Sequence, residues 1–489
     1  MKITIQKAKN GEETAAVEGH FLHSNYAPVK EAQRFVENLK LPYTPSSIII
    51  TEPGLSYAAD FLRERFPELK IGVIRYSKDF EAYNSKFDFV LNFFETVNFE
   101  SYLENKLNEE ELLTAFFVSW PASAQIFKEE ENICWASIKA AMERAKTLLI
   151  TRQYFEKKWF LNSCRFLSSI KNPLVLEQNI NRDCIIISSG PSLLPFIDII
   201  KENQEKFFII CLSSAISVCL KNKIKPDLCM TTDGGYWAGQ HLKALYKADI
   251  ALAMPAEGYC PKALLSKVNI LPLDYGDGLS NKLTSAAKLS AKKAVRNGTV
   301  SGTALLFAAN YCSGNIYLCG MDMANQTGYQ HAQPNQLEYN SSLKDNRLFT
   351  KALRLTKSEL TNGSLDIYKD WFINNPLKLG ERKVFRLMEK ENSKNNLGWI
   401  QDLDKKTFND FIPEGLNQKN ISFIKEDYTP DKEAVRKMLS DKSNCQKWQK
   451  QLFPLDFVQL CHNPMNKEIE NKINKEWEEV KNRAEKILL

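Results

Sequence analysis

No two cysteines in this chain are spaced CxxC, although it holds eleven of them. Without that spacing, zinc-ribbon and thioredoxin-type chemistry have no sequence support. No stretch approaches the roughly 18–20 apolar residues that span a bilayer. The opening, MKITIQKAKNGEE, lacks the apolar core of a secretory leader, so a cytoplasmic protein without a membrane span is expected. Neither sign of charge dominates: 65 Lys and Arg against 59 Asp and Glu leave a net +6. That balance reads as a mixed solvated surface, so no nucleic-acid partner is expected. A GxGxxG fingerprint and internal repeats are absent as well. There are only five histidines.

What is present is globular. Hydrophobic residues make up 44% and charged residues 25% of 489 residues, enough for large buried cores. At roughly 100–200 residues per domain, two to four domains are allowed. Several cysteines lie inside apolar runs (Cys184, Cys211, Cys219, Cys229 and Cys319), which fits buried reduced thiols.

Hydrophobic periodicity divides the chain into four segments. Residues 1–125 alternate strands (MKITIQ, SSIIIT, KIGVIRY, FDFVLNFF) with helices (PVKEAQRFVENL, LSYAADFLRERF) and read as a small α/β lobe. The turn after SSIIIT, Glu52-Pro53-Gly54-Leu55-Ser56, has one glycine and a carboxylate, which suits a structural lobe better than a phosphate site. Residues 126–180 carry a long amphipathic pattern and read as a helical connector. Residues 181–416 hold six short apolar strands: CIIISS, FFIICLS, DLCMTTD, IALAMP, NILPLD and NIYLCGMD. Helical patterns separate several of them (SLLPFIDIIKEN, AISVCLKNK, SGTALLFAANYC), and NRLFTKALRLTKSEL and a further strand, VFRLM, follow. This predicts a Rossmann-like, mostly parallel sheet covered on both faces by helices. Residues 417–489 read as a helical appendage with a solvated, charged face.

In such sheets ligands bind outside the carboxyl ends of the strands, so the strand-to-helix corners carry the chemistry. At Ser188-Ser189-Gly190-Pro191-Ser192-Leu193, glycine permits unusual backbone angles and close approach, and proline suits a first helical turn. Ser192 adds a hydroxyl and an amide at the positive end of a helix, so the corner predicts an anion site for phosphate. Ser213-Ser214 end the next strand and either cap a helix or bond a base or ribose. Asp233 ends the third strand. It is followed by two glycines rather than forming a DxD motif, and a lone carboxylate holds a divalent cation poorly, so no metal and no cofactor are expected. Asp233 therefore reads as either a substrate contact or a helix cap. Gly298, Thr299, Ser301, Gly302 and Thr303 form a second polar helix start, and Gly320-Met321-Asp322 sets another carboxylate at the same sheet edge. His331, in the polar loop GYQHAQP, is the candidate general acid or base, or else inert.

GPSL after the first strand, IKPD before the strand ending in Asp233, and GTVSGTALLFAA…GNIYLCGMDMA resemble the central domain of the motility-associated factor (Maf) family of flagellin glycosyltransferases. HSNYAPVKEAQRF (residues 23–35) resembles that family's N-terminal lobe. The GPSL corner with SGTA…GNIYLCGMD is also similar to bacterial sialyltransferases that use CMP-activated sugars, except that Ser188-Ser189 replace their Gly-Asn. The resemblance implies transfer of a nonulosonic acid, of pseudaminic or legionaminic type, from a CMP-activated donor to Ser or Thr hydroxyls of flagellin. It maps onto Gly190, Pro191, Ser192, Leu193, Ser301, Gly302, Gly320 and Asp322; read with the corner residues Ser189, Ser213 and Thr303, these give the expected nucleotide site, with His331 or Asp233 as the candidate base. Archaeal 6-hydroxymethylpterin diphosphokinases share GPSL-like features and would imply ATP and magnesium instead. A non-catalytic flagellin-binding protein is the third reading.

Overall fold

A computed structural model describes residues 3–96, 98–323, 330–353, 363–389, 396–414 and 423–489. The chain forms two compact units. One comprises residues 1–156 and 446–479, the other residues 157–445 and 480–489. The four segments read from the sequence are thus regrouped. The connector is one helix, Lys128–Ser169, shared between the units, and much of the C-terminal appendage belongs with the first lobe.

In the first unit, β1 (Ile3–Lys7), β2 (Glu13–Val17) and β3 (His20–Phe21) make an antiparallel sheet. Strands β4 (Ser47–Thr51), β5 (Lys70–Arg75), β6 (Phe89–Asn92) and β7 (Phe116–Ser119) make a parallel sheet in the order β6-β5-β4-β7. The strand order reverses between β4 and β7, the usual place for a ligand crevice. Here the chain's own side chains fill it. Glu52 and Arg75 are fully buried and paired at 2.9 Å, and Arg75 also donates to Ser56 Oγ and Gly54 O. Glu131 accepts from Thr51 Oγ1, Tyr76 OH, Trp135 Nε1 and Ser119 Oγ. The C-terminal segment completes this unit: His462 Nε2 donates to Leu113 O at 2.7 Å, its ring stacks on Tyr43, and Val458 joins the core beside Leu112.

In the second unit, β8 (Leu174–Leu176) pairs antiparallel with β18 (Phe423–Lys425). The main sheet contains β9 (Cys184–Ile187), β10 (Phe208–Leu212), β11 (Leu228–Met230), β12 (Ala251–Pro255), β13 (Ile270–Asp274), β14 (Lys292–Lys293), β15 (Ile316–Cys319), β16 (Val384–Leu387) and β17 (Gln401–Leu403). All its pairings are parallel, in the order β14-β13-β12-β11-β10-β9-β15-β16-β17. The chain steps outward from β9 to β14, then returns to β15 on the other side of β9. VFRLM lies one strand in from the edge, which β17 occupies. Ile185, Ile186, Ile187, Ile209 and Ile210 are all fully buried, because both faces are covered; this is why these strands show no polar alternation. Each such side chain contributes about 1.5–3 kcal/mol of burial. The helix Val300–Tyr311 is apolar around most of its girth for the same reason. Residues 354–360 of the expected helix NRLFTKALRLTKSEL lie outside the described residues.

All eleven cysteines are free thiols, and nine are buried. Burial pushes Cys164 and Cys260 up to about 12, which removes them as nucleophiles at neutral pH. Among the described residues, no helix is long and apolar enough to cross a membrane.

His23 lies within the first unit, almost wholly buried against Trp120 and Gly54. Its Nε2 accepts from Leu55 N at 3.0 Å, and burial pulls its pKa down to about 4. An unfolded histidine titrates near 6.5, so this group's stabilisation is complete above that pH and is lost as pH falls from 6.5 toward 4. Between pH 7 and pH 5, wild type should lose roughly 2 kcal/mol more stability than His23→Gln, read from urea midpoints of the first unit's transition. Equal losses in the two proteins would refute a neutral buried imidazole.

Candidate functional site

The strand order of the main sheet reverses between β9 and β15, so the crevice opens where GPSL and Gly320-Met321-Asp322 emerge. These two corners are tied to each other. Ser188 N donates to Cys319 O and Gly190 N to Gly320 O, both at 2.8 Å, and Ser192 N donates to Asp322 Oδ2 at 3.2 Å. The anion-binding corner expected at Gly190–Ser192 therefore already holds an acceptor: a carboxylate from the neighbouring strand end. Pro191 has no N–H, so this corner offers an incoming phosphate little. The segment Pro191–Phe196 is a 3-10 turn before the helix Ile197–Asn203, because Pro195 removes an amide inside it.

Gly190 has ordinary extended backbone angles, contrary to the expectation of a glycine-only conformation. Its need is proximity: a Cβ there would lie 2.5 Å from both Asp322 Oδ2 and Gly320 O. The left-handed backbone belongs to Gly320, at φ +73°. Burial raises the Asp322 pKa, opposed by hydrogen bonds from Ser192 and by the Arg386 cation. Arg386 is fully buried and pairs through two nitrogens with Asp402 at 2.6–2.7 Å. Asp322 Oδ1, Ser188 Oγ and Arg386 Nη1 have no partner among the described residues. This leaves acceptor and donor capacity at the reversal point.

The second helix start is better suited to an anion. Thr299 caps the twelve-residue helix Val300–Tyr311, with its hydroxyl accepting from Gly302 N at 2.9 Å. Asn297 Oδ1 accepts from Thr299 N and Thr299 Oγ1. It lies so close to Gly302 that any Cβ there would collide with it. Ser301 Oγ donates to Thr299 Oγ1, and Thr303 Oγ1 to Val295 O. The amides of Val300 and Ser301 remain at the positive end of the helix. Arg296 braces the approach, bound to Glu257 and Asp277 and lying over the Tyr275 ring.

Ser213 Oγ donates to Thr231 Oγ1 at 3.4 Å, linking the ends of β10 and β11 rather than capping a helix. Asp233 is exposed. Its Oδ1 accepts from Gly235 N at 2.7 Å, which makes it a turn residue at the start of the helix Tyr236–His241.

His331 is held from two sides. Ala332 N donates to Ser189 O at 2.7 Å, fastening the loop to the GPSL corner, and Asn335 Nδ2 donates to Ser214 O at 3.0 Å. The ring itself has Nδ1 3.3 Å from Oε1 of Glu338, a buried residue of the helix Gln336–Ser342 that also accepts from Gln330 N. His241 stands nearby. Burial, reinforced by the neighbouring His331 ring and opposed by Asp233, lowers its pKa to about 4, so it is neutral at physiological pH. Glu338, His241, Arg386 and Asn297 were not singled out from the sequence. For Glu338 a signal existed: Asn335 and Glu338 have the spacing of a helix-capping pair. Among the described residues, no group of three or more His, Cys, Asp or Glu could hold a metal ion.

Comparison with known proteins gives similarities of three kinds. Residues 157–328 match the sequence model of a family described as 6-hydroxymethylpterin diphosphokinase MptE-like. An uncharacterized protein of Treponema pallidum (strain Nichols) is 26% identical over 321 residues, spanning 65% of this chain and 69% of that one. The structure of a Maf glycosyltransferase from Magnetospirillum magneticum AMB-1 aligns with 99% of this chain and 90% of its own, at 13% identity and a TM-score of 0.48.

Gly190→Ala must push Asp322 off the Ser192 amide. It should cost about 1–3 kcal/mol, as overpacking of a tight contact does, read as a fall in the second unit's urea midpoint. Because Asp322 is one of two obstacles, the other being the Gly320 carbonyl, Asp322→Ala in the same background should restore part of the loss. No recovery would mean that Gly190 accommodates the Gly320 carbonyl rather than the carboxylate.

Proposed function

We propose that the second unit is a glycosyltransferase that uses a CMP-activated nonulosonic acid, of pseudaminic or legionaminic type. The acceptors are Ser or Thr hydroxyls of flagellin, in the cytoplasm. The observation that carries this reading is a histidine fixed by a buried carboxylate, on a loop fastened to the corner where the strand order reverses. A hydroxyl acceptor needs such a base, and His331 is the natural one near neutral pH. The motifs GPSL, SGTA and GNIYLCGMD, in that order, support the donor class through their resemblance to CMP-sugar enzymes.

The sugar–phosphate bond breaks as CMP leaves as a phosphate monoester, and negative charge grows on its phosphate. The Val300 and Ser301 amides, with the Thr299 and Ser301 hydroxyls, are the groups best suited to stabilise that charge. His331 takes the proton of the acceptor hydroxyl as the new bond to the sugar forms. Asp322 Oδ1, Arg386 Nη1 and Ser188 Oγ are left to bond ribose or base. Asp233, engaged in its own turn, is the weaker candidate for base. No metal or cofactor takes part in these steps.

A second reading has one specific observation in its favour, the match of residues 157–328 to the MptE-like family. It would make the unit an ATP- and magnesium-dependent diphosphokinase acting on a hydroxymethylpterin. The two readings separate when purified protein is given CMP-nonulosonic acid plus flagellin, or ATP, magnesium and 6-hydroxymethylpterin. We expect a mass shift on flagellin and no AMP release. AMP formed with the pterin, and unmodified flagellin, would reverse the assignment. His331→Ala should lower transfer by about 10²–10⁴-fold while CMP affinity stays within about threefold. Full turnover in that variant would remove His331 from the chemistry.

A further inference from the structure

We propose that Glu338 is a positioning residue for His331, holding the imidazole as the Nδ1–H tautomer so that Nε2 is the lone pair presented to the acceptor hydroxyl. The proposal rests on the glycosyltransferase reading for its chemistry but on local geometry for its substance. Glu338 belongs to a helix capped by Asn335, whose side-chain oxygen accepts from Leu337 N and Glu338 N. In an ordinary capping pair the acidic side chain turns back to the cap residue's own amide. Here Oε1 goes instead to Gln330 N at 3.1 Å and to His331 Nδ1 at 3.3 Å. A carboxylate accepts and does not donate, so a neutral His331 in this contact must carry its proton on Nδ1. The proton-free nitrogen is then Nε2, the atom that could take a proton.

Glu338 touches the ring directly and His241 lies close enough to interact with it, while Asp233 acts on His241. His241 is buried and uncharged, so it sets no permanent cation against a charge developing on His331. Asp233 is exposed and bound to Gly235 N. Glu338 is the acceptor with a direct contact and a fixed backbone. Anchoring the loop through Ala332 N and Asn335 Nδ2 keeps the pair beside Ser189 and Ser214. A buried acid behind an imidazole acts in this way in hydrolytic triads, where an isosteric amide turns the ring to the wrong tautomer.

The test uses the full-length protein and Glu338→Gln, which keeps shape but can offer an N–H to Nδ1, with Glu338→Ala as a second variant. Nitrogen-15 chemical shifts of His331 report its tautomer without any substrate. Wild type should show Nδ1 protonated and Nε2 bare in the neutral ring, and both variants should lose that preference. With CMP-sugar and flagellin, kcat should fall at least about tenfold while donor KM stays within about twofold. Persistence of the Nδ1–H form in Glu338→Gln, or a loss confined to KM, would reduce Glu338 to a residue that only fastens the loop through Gln330 N. Should wild type transfer no sugar at all, the glycosyltransferase reading fails by itself, and the nitrogen-15 shifts still decide the role of Glu338.

Discussion

The main sheet's functional edge depends on the contact between the corner after β9 and the strand end after β15. Two backbone hydrogen bonds and a carboxylate on the Ser192 amide join segments some 130 residues apart in sequence. That contact requires glycine twice, for different reasons. Gly190 leaves room for Asp322, and Gly320 supplies a left-handed turn that other residues adopt at a cost. The same contact locates the crevice, since it joins the two strands at which the order reverses. The loop bearing His331 hangs from Ser189 and, through Asn335, from Ser214, so the proposed base is positioned by these corners together with the helix that carries Glu338.

The six main strands were legible because a parallel sheet covered on both faces needs nearly unbroken apolar runs, and CIII, FIICL and IYLC have no other plausible use. The helix starting at Val300 was equally plain, with Thr299 before an apolar stretch. Legibility failed where a residue's partner is distant in sequence. Gly190 looked like a phosphate-loop glycine, because nothing local says that Asp322 will sit on the amide two residues later. Arg386 was an unremarked residue of an edge-like strand; only its pairing with Asp402 and its influence on Asp322 bring it to the site. The helix Gln336–Ser342 was not read from the sequence, although Asn335 and Glu338 have a helix-start spacing, and nothing local shows that the Glu338 carboxylate turns toward His331.

The two parallel sheets in this chain make an instructive contrast. Both have a strand-order reversal, and both have an acidic residue close to it. In the first unit, Glu52 is paired with Arg75 at 2.9 Å and Glu131 accepts from four donors, so both carboxylates at the reversal are engaged, although His23 Nδ1 and Asn92 Oδ1 lack partners among the described residues. In the second, Asp322 Oδ1, Ser188 Oγ and Arg386 Nη1 lack partners among the described residues. Buried polar atoms are rarely left so unless water or a ligand completes them. The two reversal points thus share their topology and differ in their carboxylates: Glu52 and Glu131 are engaged, while Asp322 keeps one oxygen without a partner among the described residues.

The first unit is discontinuous, closed by residues 446–479. A nascent chain has all of β4 to β7 outside the ribosome long before Val458 and His462 exist to cover Leu112 and Leu113. At roughly 5–20 residues per second, translating residues 157–445 delays that closure by about 15–60 s. During synthesis the second unit's nine strands can therefore complete their sheet while the earlier lobe still waits for its last piece.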